Sequence, residues 1–180
     1  MAAITQVAQY YDLPNVSIAG ATDSKIADAQ SGYEKSLSVT LAAHAGSNLI
    51  TQASGMHASL MGCALESYVI DNDMLGSIMS SLRPFEINRE TMSAPSIDKV
   101  VKAEGHFLGE AETMARMKSD FVYPEIADRR TFREWEDDGQ KDIRQIAQSR
   151  TKEILNSHFP DHIDPDLDRL IRNKFDIRLD

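Results

Sequence analysis

Asp23 and Lys25 sit just beyond a short apolar run and a glycine, in the stretch VSIAGATDSKIADAQSGYEK at residues 16–35. A carboxylate at such a break can balance a cation. The plain alternative makes Asp23 a helix cap and Lys25 a solvated first-turn residue, because short oxygen-bearing side chains satisfy the free amides of a helix start. Gln52, Met56 and His57 follow a second apolar run. His57 can carry a proton or donate a hydrogen bond, or it can be an ordinary satisfied polar residue. Gln52 points toward or away from a site according to strand register, which one sequence leaves open. Phe107 lies in a short turn between Gly105 and Gly109. Its ring face can attract an organic cation; its plain reading is a hydrophobic plug. Gln30, Tyr33, Glu34 and Lys35 read as helix packing with a solvated Glu34–Lys35 pair, although Glu34 would gain interest if buried, since an unpaired buried carboxylate is costly. No HExxH, Cys/His set or glycine-rich phosphate loop is present, so no metal site is expected.

These residues need elements to hold them. Residues 16–19 read as a strand, and 20–25 as a turn ending in a helix cap at Thr22, Asp23 or Ser24. A helix then carries Ile26, Ala29, Tyr33, Leu37 and Leu41 at helical spacing. The layout repeats: residues 48–53 read as a strand, 54–59 as a polar turn, and 59–82 as a helix apolar on most sides. Two consecutive strand-turn-helix units predict a parallel sheet, and sites on such sheets form at the carboxyl ends of the strands. The spacing therefore predicts that 22–25 and 54–57 lie side by side.

Residues 1–83 hold only 7 of the 28 acidic and 3 of the 19 basic residues, so a weakly charged segment (1–83) gives way to a highly charged one (84–180). The first suits a packed scaffold and the second solvated helices. In the second, Thr131 is placed to cap a helix from Phe132, a long amphipathic helix should start near Lys141, Glu104-Gly105 should end a helix, and Pro160 and Pro165 should break the tail. The net charge of −9 argues against a nucleic-acid partner. One cysteine, Cys63, excludes an internal disulfide and fits a reducing cytoplasm. Residues 1–11 lack the basic start of a signal peptide, and no run of 18 apolar residues suggests a membrane span.

Five blocks in order, GATDSKIADAQSGYEK, NLITQASGM, ESYVIDNDMLG, RPFEIN-ETM and GHFLGEAETM, resemble the C-terminal part of the trimethylamine methyltransferase family. The similarity runs over most of residues 2–155, and the combination is more specific than any one block. It implies the C-terminal part of a (β/α)8 barrel at 1–83, followed by a mainly helical extension at 84–180. It also implies transfer of a methyl group from a methylated or quaternary amine, of the trimethylamine or glycine betaine class, to the cobalt of a corrinoid carried by a partner protein. No cofactor would then be bound directly. Asp23, Lys25, Gln52, Met56, His57 and Phe107 become candidates for substrate binding; Lys25 could also steer the corrinoid partner, and Phe107 could face a methylated ammonium.

Some members of that family carry pyrrolysine, whereas every position here is a standard residue, so the resemblance is to the pyrrolysine-free members. These are expected to use a cation-holding pocket in place of a catalytic dyad. A complete barrel takes roughly 250 residues, so the resemblance implies a C-terminal portion that is inactive alone. The alternative is a non-catalytic half-barrel remnant, kept as a homo-oligomer that covers its open sheet edge.

Overall fold

The computed structural model describes residues 1–103, 105–158 and 162–177. The breaks expected at Glu104 and Pro160 lie outside them. Helix α1 (Ala2–Tyr10) leads into strand β1 (Val16–Ile18), helix α2 (Ala29–His44) and strand β2 (Leu49–Thr51). A hairpin of β3 (Met56–His57) and β4 (Gly62–Cys63) precedes helix α3 (Leu65–Ser81). Helices α4 (Ala94–Lys102), α5 (Ala111–Ser119), α6 (Phe132–Asp137), α7 (Ile143–Ser157) and α8 (Pro165–Lys174) complete the order.

Strands β1 and β2 pair in parallel, with Val16, Ser17 and Ile18 opposite Leu49, Ile50 and Thr51. This is the one parallel contact among the described residues; β3 and β4 pair antiparallel in a separate sheet. The expected C-terminal part of a (β/α)8 barrel is therefore not the observed fold, which among the described residues is mainly helical, with two small two-stranded sheets and no closed barrel. Barrel strands are covered on both faces, whereas Val16, Ile18 and Leu49 are exposed here. The chain exposes 13805 Å², where a compact 20.0 kDa monomer would expose roughly 8,700 Å². Its apolar faces are thus largely open, and periodic hydrophobicity alone does not close a sheet.

Two boundaries also move. Helix α2 starts at Ala29, later than a cap at 22–24 would place it. Asp28 is the cap, accepting from the Ser31 amide at 2.9 Å while the Ser31 hydroxyl accepts from the Asp28 amide at 2.9 Å. The hydroxyls of Thr22 and Ser24 are spent inside the loop instead, on the Ser24 amide and the Ile26 carbonyl. Helix α3 starts at Leu65 because residues 56–63, expected to be turn and helix, form the hairpin. Farther on, Thr131 and Glu134 form the cap of α6, and Asp142 and Gln145 that of α7.

The core lies between the parallel pair, α2 and α3. Ala19, Val39, Ala42 and Ile78 form it, with Ile50, Ala53, Met74 and Leu75 packed against them. On α2 the buried positions are Ser31, Lys35, Val39 and Ala42. Tyr33, Leu37 and Leu41, noted in the sequence for their helical spacing, lie on the exposed face. Helix α7 lies along α3. The loop before α6 is fastened to α3 by Asp73, whose carboxylate accepts from the amides of Glu125 (2.8 Å), Ile126 (3.1 Å) and Ala127 (3.0 Å).

Candidate functional site

The loop leaving β1 touches the turn leaving β2. Gly20 has φ +94°, a left-handed conformation in which a side chain is strained, and it lies flat on the Ala53 backbone. A Cβ at Gly20 would sit 2.6 Å from the Ala53 Cα. From this crossing the 20–28 loop and the β3–β4 hairpin are stitched together. The Ala58 amide donates to the Ser24 carbonyl at 3.0 Å, and the Ser59 amide to the Thr22 carbonyl at 3.0 Å. The Ser59 hydroxyl donates to the Asp23 carboxylate. Ala58, Ser59 and Leu60 all have positive φ. Three consecutive non-glycine residues in that region are costly, and the stitching hydrogen bonds offset that cost.

His57 is the hidden strut of this arrangement, buried to 3% exposure. Its Nδ1 lies 3.2 Å from the Ser24 carbonyl oxygen and its Nε2 2.6 Å from the Ser67 hydroxyl. A carbonyl only accepts, so Nδ1 donates; in the neutral ring Nε2 then accepts from Ser67. With both nitrogens engaged, His57 locks the loop to the start of α3 and does not present a free base to a ligand.

Two carboxylates, Glu34 and Asp23, meet at this loop, which also exposes Lys25 and Asp28. Glu34 accepts from the Thr22 hydroxyl (2.5 Å), the Asp23 amide (2.9 Å) and the Gln30 side-chain amide (2.9 Å). The Thr22 hydroxyl, then Gln30 and the Asp23 amide, hold the Glu34 carboxyl below its usual range, so it is ionised at neutral pH. Asp23 lies beside it in the loop. Neither carboxylate pairs with a lysine or arginine among the described residues. The expected solvated Glu34–Lys35 pair is absent: Glu34 turns to the loop, and Lys35 turns inward to Asp71 at 2.7 Å. In the sequence Thr22 reads only as a possible helix cap; the Gln30–Glu34 spacing of four is the one local signal of this network.

A depressed carboxyl pKa stabilises the fold above its unfolded value, ordinarily near 4.5, and that contribution is lost as pH falls through the lower folded value. Thermal unfolding followed from pH 7 down to pH 3 should show stability falling below about pH 4.5. Glu34→Gln should flatten part of that slope; an unchanged slope would remove Glu34 from the loop network.

Of the six residues marked in the sequence, the fold brings Asp23, Lys25 and His57 together. The Lys25 ammonium folds back to the Asp23 carbonyl at 2.7 Å and is exposed. Gln52 follows β2 with φ +62°, immediately before the Ala53 backbone on which Gly20 rests. Met56 is half-buried in β3, opposite Cys63. Phe107 is elsewhere, lining a small cavity between α4 and α5 with Ser93, Ile97 and Arg116. Among the described residues no three His, Cys, Asp or Glu side chains converge as metal ligands, and no helix is long and apolar enough to cross a membrane.

The family model for trimethylamine methyltransferase (MTTB) matches residues 1–178. The chain is 34% identical over 167 residues to a trimethylamine methyltransferase MttB of Methanosarcina thermophila, covering 92% of this chain and 34% of that protein. It is 35% identical over 167 residues to MttB2 of Methanosarcina mazei, covering 92% and 33%. A glycine betaine methyltransferase of Desulfitobacterium hafniense is 29% identical over 168 residues, covering 93% and 35%. The chain thus spans about a third of the length of the curated relatives it matches.

Proposed function

The chain belongs to the trimethylamine methyltransferase family, and from that membership we propose that it serves transfer of a methyl group from a methylated amine to a corrinoid carried by a partner protein. The carrying observation is the family match over residues 1–178. Relatives named for trimethylamine and for glycine betaine match at similar identity, so the substrate class is a methylated ammonium. The absence of pyrrolysine from the sequence favours a quaternary amine held by charge alone.

The corrinoid, brought by its partner, supplies the nucleophile that takes the methyl. This chain's part is to hold and orient. Glu34, kept ionised by Thr22, Gln30 and the Asp23 amide, and Asp23 beside it provide two negative charges for one ammonium. A quaternary nitrogen offers no N–H, so recognition rests on field and shape, and acid or base groups are not required. Fixing the N–CH3 bond in one direction is where such a site lowers the barrier. The stitched loop supplies the rigidity: His57 and the Ser24 and Thr22 carbonyls pin it to the hairpin. Lys25, exposed in the same loop with its ammonium at the Asp23 carbonyl, would meet an acidic face of the corrinoid protein.

Glycine betaine titrated into the chain should shift the backbone resonances of residues 22–25, 34 and 58–59. Glu34→Gln combined with Asp23→Asn should weaken binding by roughly tenfold or more, as expected for removing charge from an ammonium site. Saturable shifts confined to other residues, or equal binding by the double variant, would defeat this reading.

A further inference from the structure

Helix α2 buries Ser31, Lys35, Val39 and Ala42 and leaves its opposite face open. There Tyr33 and Leu37 are each 62% exposed and Leu41 is 51% exposed. These three residues lie four apart, so they form one continuous row along the helix surface. The adjoining row of the same spacing is Gly32, Ser36 and Thr40, whose side chains are small. A Cβ at Gly32 would meet nothing within 4 Å, so that end of the small row is open. A ridge of large side chains therefore runs beside a groove lined by small ones.

This face also carries no free acid or base. The ionisable side chains of α2 are Glu34, Lys35 and His44, apart from the Tyr33 phenol. Glu34 is held by Thr22, Gln30 and the Asp23 amide, and Lys35 is buried against Asp71. His44, in the last turn, lies 2.9 Å from the Ser81 hydroxyl. Other exposed apolar residues are mixed with charge. On α8, Leu167 and Leu170 are interleaved with Asp166, Asp168 and Arg169, and on α7, Ile154 and Leu155 follow Lys152 and Glu153. Two copies of a chain with net charge −9 repel where charged faces meet. That repulsion is small at the outer face of α2.

We propose that this face is a homodimer interface, on which a second copy of the chain packs its own α2 across a two-fold axis beside Leu37. The ridge of Tyr33, Leu37 and Leu41 in one copy enters the groove lined by Gly32, Ser36 and Thr40 in the other. The two-fold rotation repeats that contact in reverse, as a self-complementary interface requires. Rows of four-residue spacing interdigitate with the helices crossed at about −50°. A second copy is the fitting occupant because one helix supplies both ridge and groove. The chain has the surface for it: it exposes roughly 5,000 Å² more than a compact monomer of its mass, and a stable interface takes about 800 Å² from each partner. The dimer does not depend on methyl transfer or on amine binding at the loop.

Sedimentation of the full 180-residue chain, diluted from about 100 μM to about 0.1 μM, should show a reversible dimer with a Kd of about 1 μM or below. Its mass should be twice the 20.0 kDa of one chain. Leu37→Glu should raise that Kd at least about a hundredfold, because it brings two carboxylates together at the axis. Leu37 is exposed in the single chain, so the helix content by circular dichroism should be unchanged. Leu170→Glu puts the same charge on a leucine of α8 that is 63% exposed, and it should leave the dimer intact. A chain that stays monomeric throughout, its α2 face then belonging to another polypeptide, would overturn the proposal. So would a dimer that survives in folded Leu37→Glu, or one that Leu170→Glu dissociates equally.

Discussion

Replacing Lys35 with alanine is expected to lower the unfolding free energy by about 3–5 kcal/mol, the range for removing one partner of a buried ion pair. Lys35 is 1% exposed and Asp71 3%. Their contact, Nζ to Oδ2 at 2.7 Å, joins α2 to α3 across 36 residues of chain. With the ammonium gone, the Asp71 carboxylate would remain in the same low-dielectric site with the Gly55 amide as its one remaining hydrogen-bond donor among the described residues. That amide belongs to a tightly constrained turn: Gly55 has φ +78°, and a Cβ there would fall 2.3 Å from the Tyr68 ring. The loss should therefore spread from the helix interface to the turn leaving β2. Urea denaturation of Lys35→Ala measures the cost. A Lys35→Met/Asp71→Leu double variant should recover only part of it: two apolar residues of similar volume leave no stranded charge, but the Gly55 amide loses its acceptor. A loss below about 1 kcal/mol in Lys35→Ala would place the pair in solvent.

Gly20→Ala should cost about 2–4 kcal/mol, combining strain at positive φ with forced overpacking. The added Cβ would lie 2.6 Å from the Ala53 Cα, 2.7 Å from its carbonyl oxygen and 2.8 Å from its carbonyl carbon. All three are backbone atoms, so no rotamer change relieves the clash. The Gly20 amide also donates to the Ser38 hydroxyl at 3.1 Å, which ties any shift of the loop to α2. Prising the 20–28 loop from Ala53 should loosen the amides of Ala58 and Ser59, whose acceptors are the Ser24 and Thr22 carbonyls. Hydrogen exchange at those two amides should speed up by more than at Val39, in the core. Uniform acceleration would mean that Gly20 supports the whole fold and not the site in particular. Gly32→Ala, in open space on α2, is the control of opposite sign.

These two contacts differ in how far local sequence betrays them. The Gly20 break is visible because a glycine between a β-type run and hydroxyl-rich residues has few local explanations. What it rests against, Ala53, is not, because close backbone approach leaves no pattern in side-chain types. Lys35 is the sharper case. Read locally, Glu34 and Lys35 are neighbours and resemble a solvated pair. In the fold they part: Glu34 accepts from Thr22, and Lys35 reaches Asp71. Adjacent helical residues point about 100° apart, and which of the two directions is inside depends on where α3 lies.

The absent barrel has a similar cause. Short apolar runs and turns identify β1 and β2 and their parallel sense, since a strand, a helix and a strand in succession favour a parallel return. Short-range spacing also located the cap at Thr131 and the start of a long helix near Lys141. Family membership was legible as well, because it lies in ordered blocks of residue identity over nearly the whole chain. The sequence by itself thus determined the kinship, the strand-and-helix order around residues 16–51, and the net charge of −9. Only the tertiary structure decided that the hairpin at 56–63 interrupts the second unit, that Ser31, Lys35, Val39 and Ala42 form the inner face of α2, and that Glu34 joins Asp23 at the loop. Local rules act over one or two turns of chain, whereas each of these outcomes was set by partners many residues away competing for the same side chain or face.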